Sequence, residues 1–324
     1  MSGGSLRGAA AIVGVADAVS PTGMLDDFGP ALEARMVREA LDDAGLTLAD
    51  VDGVCHAVNA TGTAEYLGIH PTWLDATMTG GSSYEVHVEH AAAAIAAGLC
   101  DVVVSVYAST PRSDRKHQRG PGFGGRRPDR ANPMTEWELP HGMQMPIGPY
   151  ALAASRHMYE YGTTSEQLAQ IAVSTREWAV KNPRAYHRDP ITVDDVLESP
   201  MIASPLHKLD CCLVTDGAGA FVMTSAERAQ DLAKSPVAVL GTATASDHSM
   251  VTAMPDLTTT AGTVSGPKAF ATAGISPDDV DLLMGYDRSP SPRSCTWRTS
   301  ASARRVRAGR SSRTAGSVPP ARCP

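Results

Sequence analysis

One pattern occurs twice in this chain. The run IVGVA at 12–16 returns as VLGTA at 239–243, 227 residues on, and AGLTLADVD at 44–52 returns as AGISPDDVD at 273–281, 229 residues on. Chance likeness between short α/β segments is the plain alternative, because motif matches carry a false-positive rate. Two independent matches at nearly one offset instead predict a duplicated architecture: two similar α/β halves, the first carrying a long insertion.

The local patterns fit that frame. Residues 10–17 (AAIVGVAD) form a short β-branched run and are expected as a buried strand. Leu32, Met36, Ala40 and Leu41 fall on one stripe of a helix over 29–44, with Gly45 as its stop. Further expectations are a strand over 50–58, an Ala-rich helix over 82–98 with Ser82 and Ser83 as cap candidates, and a strand over 101–109. This alternation predicts a mainly parallel sheet covered by helices. Residues 110–149 hold seven Arg or Lys between 112 and 130 and little periodicity, which marks an excursion from the sheet. Helices are expected at 150–162, 164–182 and 192–198, then a strand at 218–225 and a helix at 226–233. The expected domains are a first half over 1–233 with its insertion at about 110–205, the start of a second half over 234–287, and a tail over 288–324.

Charge is uneven along the chain. The net charge is −7, yet residues 288–324 hold nine Arg and no acid, so residues 1–287 stand at −16. An acidic body argues against nucleic acid or an anionic membrane as the main partner. No run approaches 18 uncharged apolar residues and the first residues lack a signal peptide's charged start, so a cytoplasmic protein without a membrane span is expected. The six Cys form no CxxC pair. With 43% hydrophobic but only 5% aromatic residues, the core must pack on small side chains.

The tail has two readings. Residues 288–324 show no apolar period and abundant Arg, Ser and Pro. They suit a disordered basic tail for an acidic partner. They suit better GC-rich codons translated out of frame: shifting the frame from Arg288 permits an amphipathic run with a Gly stop, where the repeat demands a helix. The frameshift reading is adopted, and the tail is set aside from the fold. A chain so interrupted is expected to be inactive and marginally folded, with uncovered strand edges and apolar surface.

Several segments resemble the thiolase superfamily, specifically sterol-carrier-protein-type thiolases and their bacterial lipid-transfer-protein homologues. The resemblance spans nearly all of 8–287. Its most specific piece is PLHKLDCCLVTDGAGAFVMTSAERA (205–229), joined by the helical stretch 150–185, GLCDVVVSVYAS (98–109) and VDLLMGYDRS (280–289). The resemblance implies a thiolase-like fold of duplicated βαβαβ layers, here with an incomplete second half. It also implies a homodimer when the frame is intact, and acyl-CoA as substrate.

A thiolase places a nucleophilic Cys at the N-terminus of its buried helix. By resemblance that position is Gly81, in TGGSSYEVHVEH, and no neighbour is Cys. Ser82 is the remaining hydroxyl, with helix capping as its plainer role. The departure puts thiolysis in doubt. Homologues lacking the Cys cleave β-hydroxyacyl-CoA by retro-aldol chemistry with a small OB-fold or zinc-ribbon partner. There Tyr286 and Asp287 would stand beside the reaction centre, although a strand-end Tyr that ties two elements together is an equal reading for Tyr286. His248 falls where the family lines the pantetheine tunnel; a solvated loop His fits as well. Arg126 and Arg127 flank the Gly-rich GPGFGG and could meet CoA phosphates, or belong to a plain surface loop. His87 and His90 in HVEH have a spacing some metal sites use, but further ligands are absent, so no metal is expected. Outside catalysis, a binding protein that uses the basic tail is the rival class.

Overall fold

The computed structural model describes residues 6–117, 136–232, 234–248 and 250–285. The first half builds as its periodicity requires. Strand β1 (Ala10–Ala18) leads to helix α1 (Gly29–Ala44), where Leu32, Met36, Val37, Ala40, Leu41 and Ala44 are buried and Gly45 ends the helix at φ 72°. Full burial of side chains such as Leu32 and Met36 contributes about 1.5–3 kcal/mol each. Then come β2 (Gly53–Cys55), α2 (Ala60–Leu67), β3 (Trp73–Asp75), α3 (Ser83–Ala96) and β4 (Val102–Ser109). The insertion holds α4 (Pro111–His117), α5 (Ile147–Tyr161), α6 (Ser165–Lys181), α7 (Val193–Glu198) and a hairpin of β5 (Met201–Ala203) and β6 (Leu206–His207). The chain returns to the sheet as β7 (Gly217–Ser225), followed by α8 (Ala226–Ala229), β8 (Val237–Ala238) and α9 (Gly262–Ala273).

The strand order is β3-β2-β4-β7-β1-β8. β2 pairs in parallel with β3 and β4, while β7 runs antiparallel to both β4 and β1, so β1 to β4 share one direction. The expected parallel set is present, with β7 inserted antiparallel at its centre. Two apolar layers sandwich the sheet. α1 packs on Ala11, Val13, Val104 and Val222, and α3 places Ala91, Ala92 and Ile95 on Cys55, Val103 and Met223.

The repeat is visible in three dimensions. A Cβ at Gly14 would strike the Ala40 carbonyl and the Ala44 methyl; one at Gly241 would strike the Ala269 carbonyl and the Ala273 methyl. After each helix comes a left-handed Gly, Gly45 or Gly274, then a capping box. In these boxes Asp50 accepts the Thr47 N–H at 2.9 Å and Asp279 accepts the Ser276 N–H at 2.8 Å. Both halves therefore bring a helix against a neighbouring segment at a residue that must lack a side chain, β1 in the first half and the irregular stretch after β8 in the second.

The second copy departs from the first in its strands. The expected strand at 239–243 is irregular beyond Val237–Ala238. The antiparallel register, with Ala238 opposite Ala11 and the Val239 N–H on the Ala10 carbonyl, carries residues 240–243 past the start of β1, where no ladder partner exists. Residues 280–285 are likewise irregular. Val54 and Cys55 are fully buried, whereas Leu283 and Met284, which match them in the repeat, are 47% and 87% exposed. Met284→Lys is expected to leave the melting temperature unchanged and to lower the aggregated fraction in light scattering. A drop of several degrees would show Met284 to be packed.

Candidate functional site

The N-terminus of α3 faces the C-terminal ends of β2, β3 and β4, where open α/β sheets bind ligands. Gly80 enters the turn at φ 81°. Ser83, not Ser82, organises it: the Ser83 hydroxyl accepts the Thr79 N–H at 2.9 Å and donates to the Gly80 carbonyl at 2.6 Å. Ser82 occupies the N-cap position but makes no side-chain cap, which corrects the expected capping role. Its exposed hydroxyl instead donates to the Thr79 carbonyl at 3.3 Å. Among the described residues no base touches it, and Gly81 beside it carries no functional group.

Behind this turn lies a buried polar network. His87 is fully buried, with Nε2 3.1 Å from the Thr77 carbonyl and Nδ1 3.1 Å from the Ser105 hydroxyl. The carbonyl can only accept, so Nε2 carries the proton and Nδ1 accepts from Ser105. Burial lowers the pKa of His87, so the ring stays neutral. His90 Nδ1 lies 2.6 Å from Asp75, whose carboxylate also accepts the Thr77 hydroxyl at 2.6 Å and the Thr77 N–H at 2.9 Å. Desolvation pushes the Asp75 carboxyl up, but the bonds from Thr77 and His90 outweigh it and the pKa falls. The two His of HVEH thus serve different partners and do not converge on one point. Among the described residues no group of three or more His, Cys, Asp or Glu could hold a metal ion.

Rings close the crevice above. Tyr84 lies edge-on to His87 at 5.7 Å and 5.4 Å from Tyr107, which in turn neighbours His56 at 6.5 Å. His56 Nδ1 accepts the N–H groups of Val58 and Asn59, which leaves Nε2 to donate to Glu33 at 3.1 Å. Sequence reasoning missed Asp75, Thr77, Ser105, Tyr84 and Tyr107. Only the Asp75-Ala-Thr77 turn had a local signal, since Asp commonly bonds the backbone two residues on.

No described thiol sits at this turn. Cys55 and Cys100 are buried under α3, where burial drives the Cys55 thiol well up and Cys100 to about 12. Burial also raises Cys211, in the connection from β6 to β7. Thiolates form poorly in such settings. His248 is half-buried in the segment that crosses α3, where the Thr244 hydroxyl meets Glu89. Tyr286, Asp287, Arg126 and Arg127 lie outside the described residues. No described helix is long and apolar enough to cross a membrane.

Known proteins share this architecture. Residues 243–296 match the family model described as thiolase C-terminal domain-like. A steroid side-chain-cleaving aldolase of Thermomonospora curvata is 35% identical over 87% of this chain and 75% of its own length. The 17-hydroxy-3-oxo-4-pregnene-20-carboxyl-CoA lyase of Mycobacterium tuberculosis is 36% identical over 87% of this chain and 76% of its own. Among solved structures, the Ltp2-ChsH2(DUF35) aldolase superposes with a TM-score of 0.81 at 31% identity, covering 91% of this chain and 78% of that one. A monomeric SCP2-thiolase-like protein of Mycobacterium smegmatis shares the fold at a TM-score of 0.74 and 20% identity, over 92% of this chain and 64% of that one. With a duplicated helix-on-glycine contact, a thiolase-like sheet and relatives that match most of its length, the chain belongs to the SCP2-type, thiolase-like family.

Proposed function

We propose that this scaffold serves retro-aldol cleavage of a β-hydroxyacyl-CoA, in preference to thiolytic acyl transfer. The first turn of α3 carries the proposal, because it presents Gly81, Ser82 and Ser83 and no thiol. Acyl transfer through the enzyme needs an activated nucleophile, and Ser82 has no base in contact among the described residues. Retro-aldol cleavage does not. A base takes the β-hydroxyl proton, the Cα–Cβ bond breaks, and its electrons enter the thioester as an enolate that is then protonated to the shorter acyl-CoA. The enolate oxygen needs hydrogen-bond donors, which backbone N–H groups at the start of α3 would supply. Tyr286 and Asp287 are the proposed proton-transfer groups, with His248 along the pantetheine and Arg126 and Arg127 toward the CoA phosphates. Relatives that are an aldolase and a CoA lyase support this reading. A solved relative with a DUF35 component supports a small partner subunit, and homodimerisation belongs to the same proposal.

Residues 288–324 are proposed to be out of frame, which would leave the chain as it stands with little turnover. Restoring one frame near codon 288 is expected to give a dimer that, with its partner subunit, releases a carbonyl product and a shorter acyl-CoA from β-hydroxyacyl-CoA. The unrepaired chain should be about 100-fold slower or worse, a loss of about 2.7 kcal/mol of transition-state stabilisation. Thiolysis of 3-oxoacyl-CoA with an acyl group trapped on Ser82 would sink the retro-aldol reading. A nucleotide sequence whose shifted frame is full of stop codons would sink the frame reading. The Arg-rich composition of 288–324 also favours a second class, a binding protein for an acidic partner. Deleting 288–324 separates the two, since partner binding should survive the deletion in the first and vanish in the second.

A further inference from the structure

A buried carboxylate stands half used where the insertion meets the second half. Glu138 is 1% exposed. Its Oε1 accepts the Thr252 N–H at 3.2 Å and the Thr252 hydroxyl at 3.3 Å. Its Oε2 is buried and has no hydrogen-bond partner among the described residues. Among the described residues no cation pairs with Glu138. Among the other buried carboxylates described, Asp216 takes four donors, while Asp210 accepts the His207 N–H on Oδ2 and likewise leaves Oδ1 without a partner.

Folding alone gives no reason for this arrangement. A buried acceptor left without a donor loses its hydration and recovers nothing. A Gln would serve Thr252 equally well through its carbonyl oxygen, without a buried charge. The position is telling too. Thr252 lies on the segment that leaves α3 at Thr244 and carries His248, while Glu138 precedes the turn Leu139–His141 that leads into α5. The carboxylate therefore joins the insertion of the first half to the second half.

We infer that Oε2 of Glu138 is held for a hydrogen-bond donor brought by the substrate, the β-hydroxyl of the acyl-CoA, and that Glu138 selects hydroxylated acyl chains. The inference rests on the retro-aldol reading. A site built to bond a hydroxyl rejects the analogue that lacks it, because the buried acceptor then stays unpaired.

The test is calorimetric titration of the full 324-residue chain with 3-hydroxybutyryl-CoA, butyryl-CoA and CoA. The unmodified chain should bind the hydroxylated thioester about tenfold more tightly than butyryl-CoA, as one bond to a charged acceptor supplies. Glu138→Gln should erase that preference while the melting temperature holds or rises. Glu138→Asp, which keeps the charge but withdraws the oxygens, should erase it as well and covers the case in which the Gln variant does not fold. A preference that survives in both variants overturns the inference. So does equal weakening of all three ligands, which would place the carboxylate on the pantetheine. Binding of none of the three by the unmodified chain overturns the acyl-CoA reading itself, and the inference with it.

Discussion

Asp216→Ala is expected to lower folding stability by about 4 kcal/mol, the largest loss at any single side chain considered. Asp216 is 2% exposed and ties three segments together. Its Oδ1 accepts the N–H groups of Arg112 at 2.9 Å and Ser113 at 3.1 Å, at the start of α4. Its Oδ2 accepts the Leu25 N–H at 2.9 Å and the Ser113 hydroxyl. Removing the carboxylate strands three backbone donors, at about 1–3 kcal/mol each, less whatever water recovers. Asp216→Asn keeps one acceptor and should lose about half as much. Urea melts followed by tryptophan fluorescence would measure both, and a loss under about 1 kcal/mol for the Ala variant would refute the clamp.

The same group sets a pH dependence. Desolvation raises the Asp216 pKa, but the bonds from Ser113, Leu25 and Arg112 prevail and the net shift is downward. A carboxyl depressed in the folded state stabilises it fully above the unfolded value of about 3.9 and loses that contribution as pH falls through the folded value. Acid unfolding should therefore begin below about pH 4, and Asp216→Asn should flatten that limb of the curve.

Gly14→Ala is expected to cost about 3 kcal/mol through overpacking, because the new methyl meets backbone as well as side chain. The Ala40 carbonyl belongs to the hydrogen-bonded frame of α1 and cannot swing aside as a flexible side chain would. Gly241→Ala repeats the collision on α9, but its consequence differs. β1 is locked between β7 and β8, so a fault at Gly14 reaches the main core, whereas 239–285 follows the two-residue β8 and is held by a few side-chain bonds such as Thr244 to Glu89 and Thr252 to Glu138. Gly241→Ala should raise hydrogen exchange and proteolysis in 239–285 and leave the main melting transition in place. Equal loss of the main transition in both variants would show that the two halves unfold as one unit.

Legibility followed locality. The stripe of Leu32, Met36 and Ala40, the strands around Val104 and Val222 and the paired Gly caps were readable, because each is written in a period or a stop signal within a few residues. α2 and β3 were not anticipated: the stretch 58–81 mixes Gly, Thr, His and Pro with no sustained period, and β3 gains its strand only by pairing with β2. Ser82 looked like a cap because its residue type suits one, yet Ser83 holds the turn, since α3's orientation turns that side chain inward.

The chain alone determined its duplicated plan and its α/β class, since each is a matter of residue type and order. Tertiary structure decided what lies far apart in sequence: the antiparallel entry of β7, the pairing of His90 with Asp75, and the meeting of Glu138 with Thr252. A carboxylate's partners depend on which donors the packed layers deliver to it, and no periodicity records that.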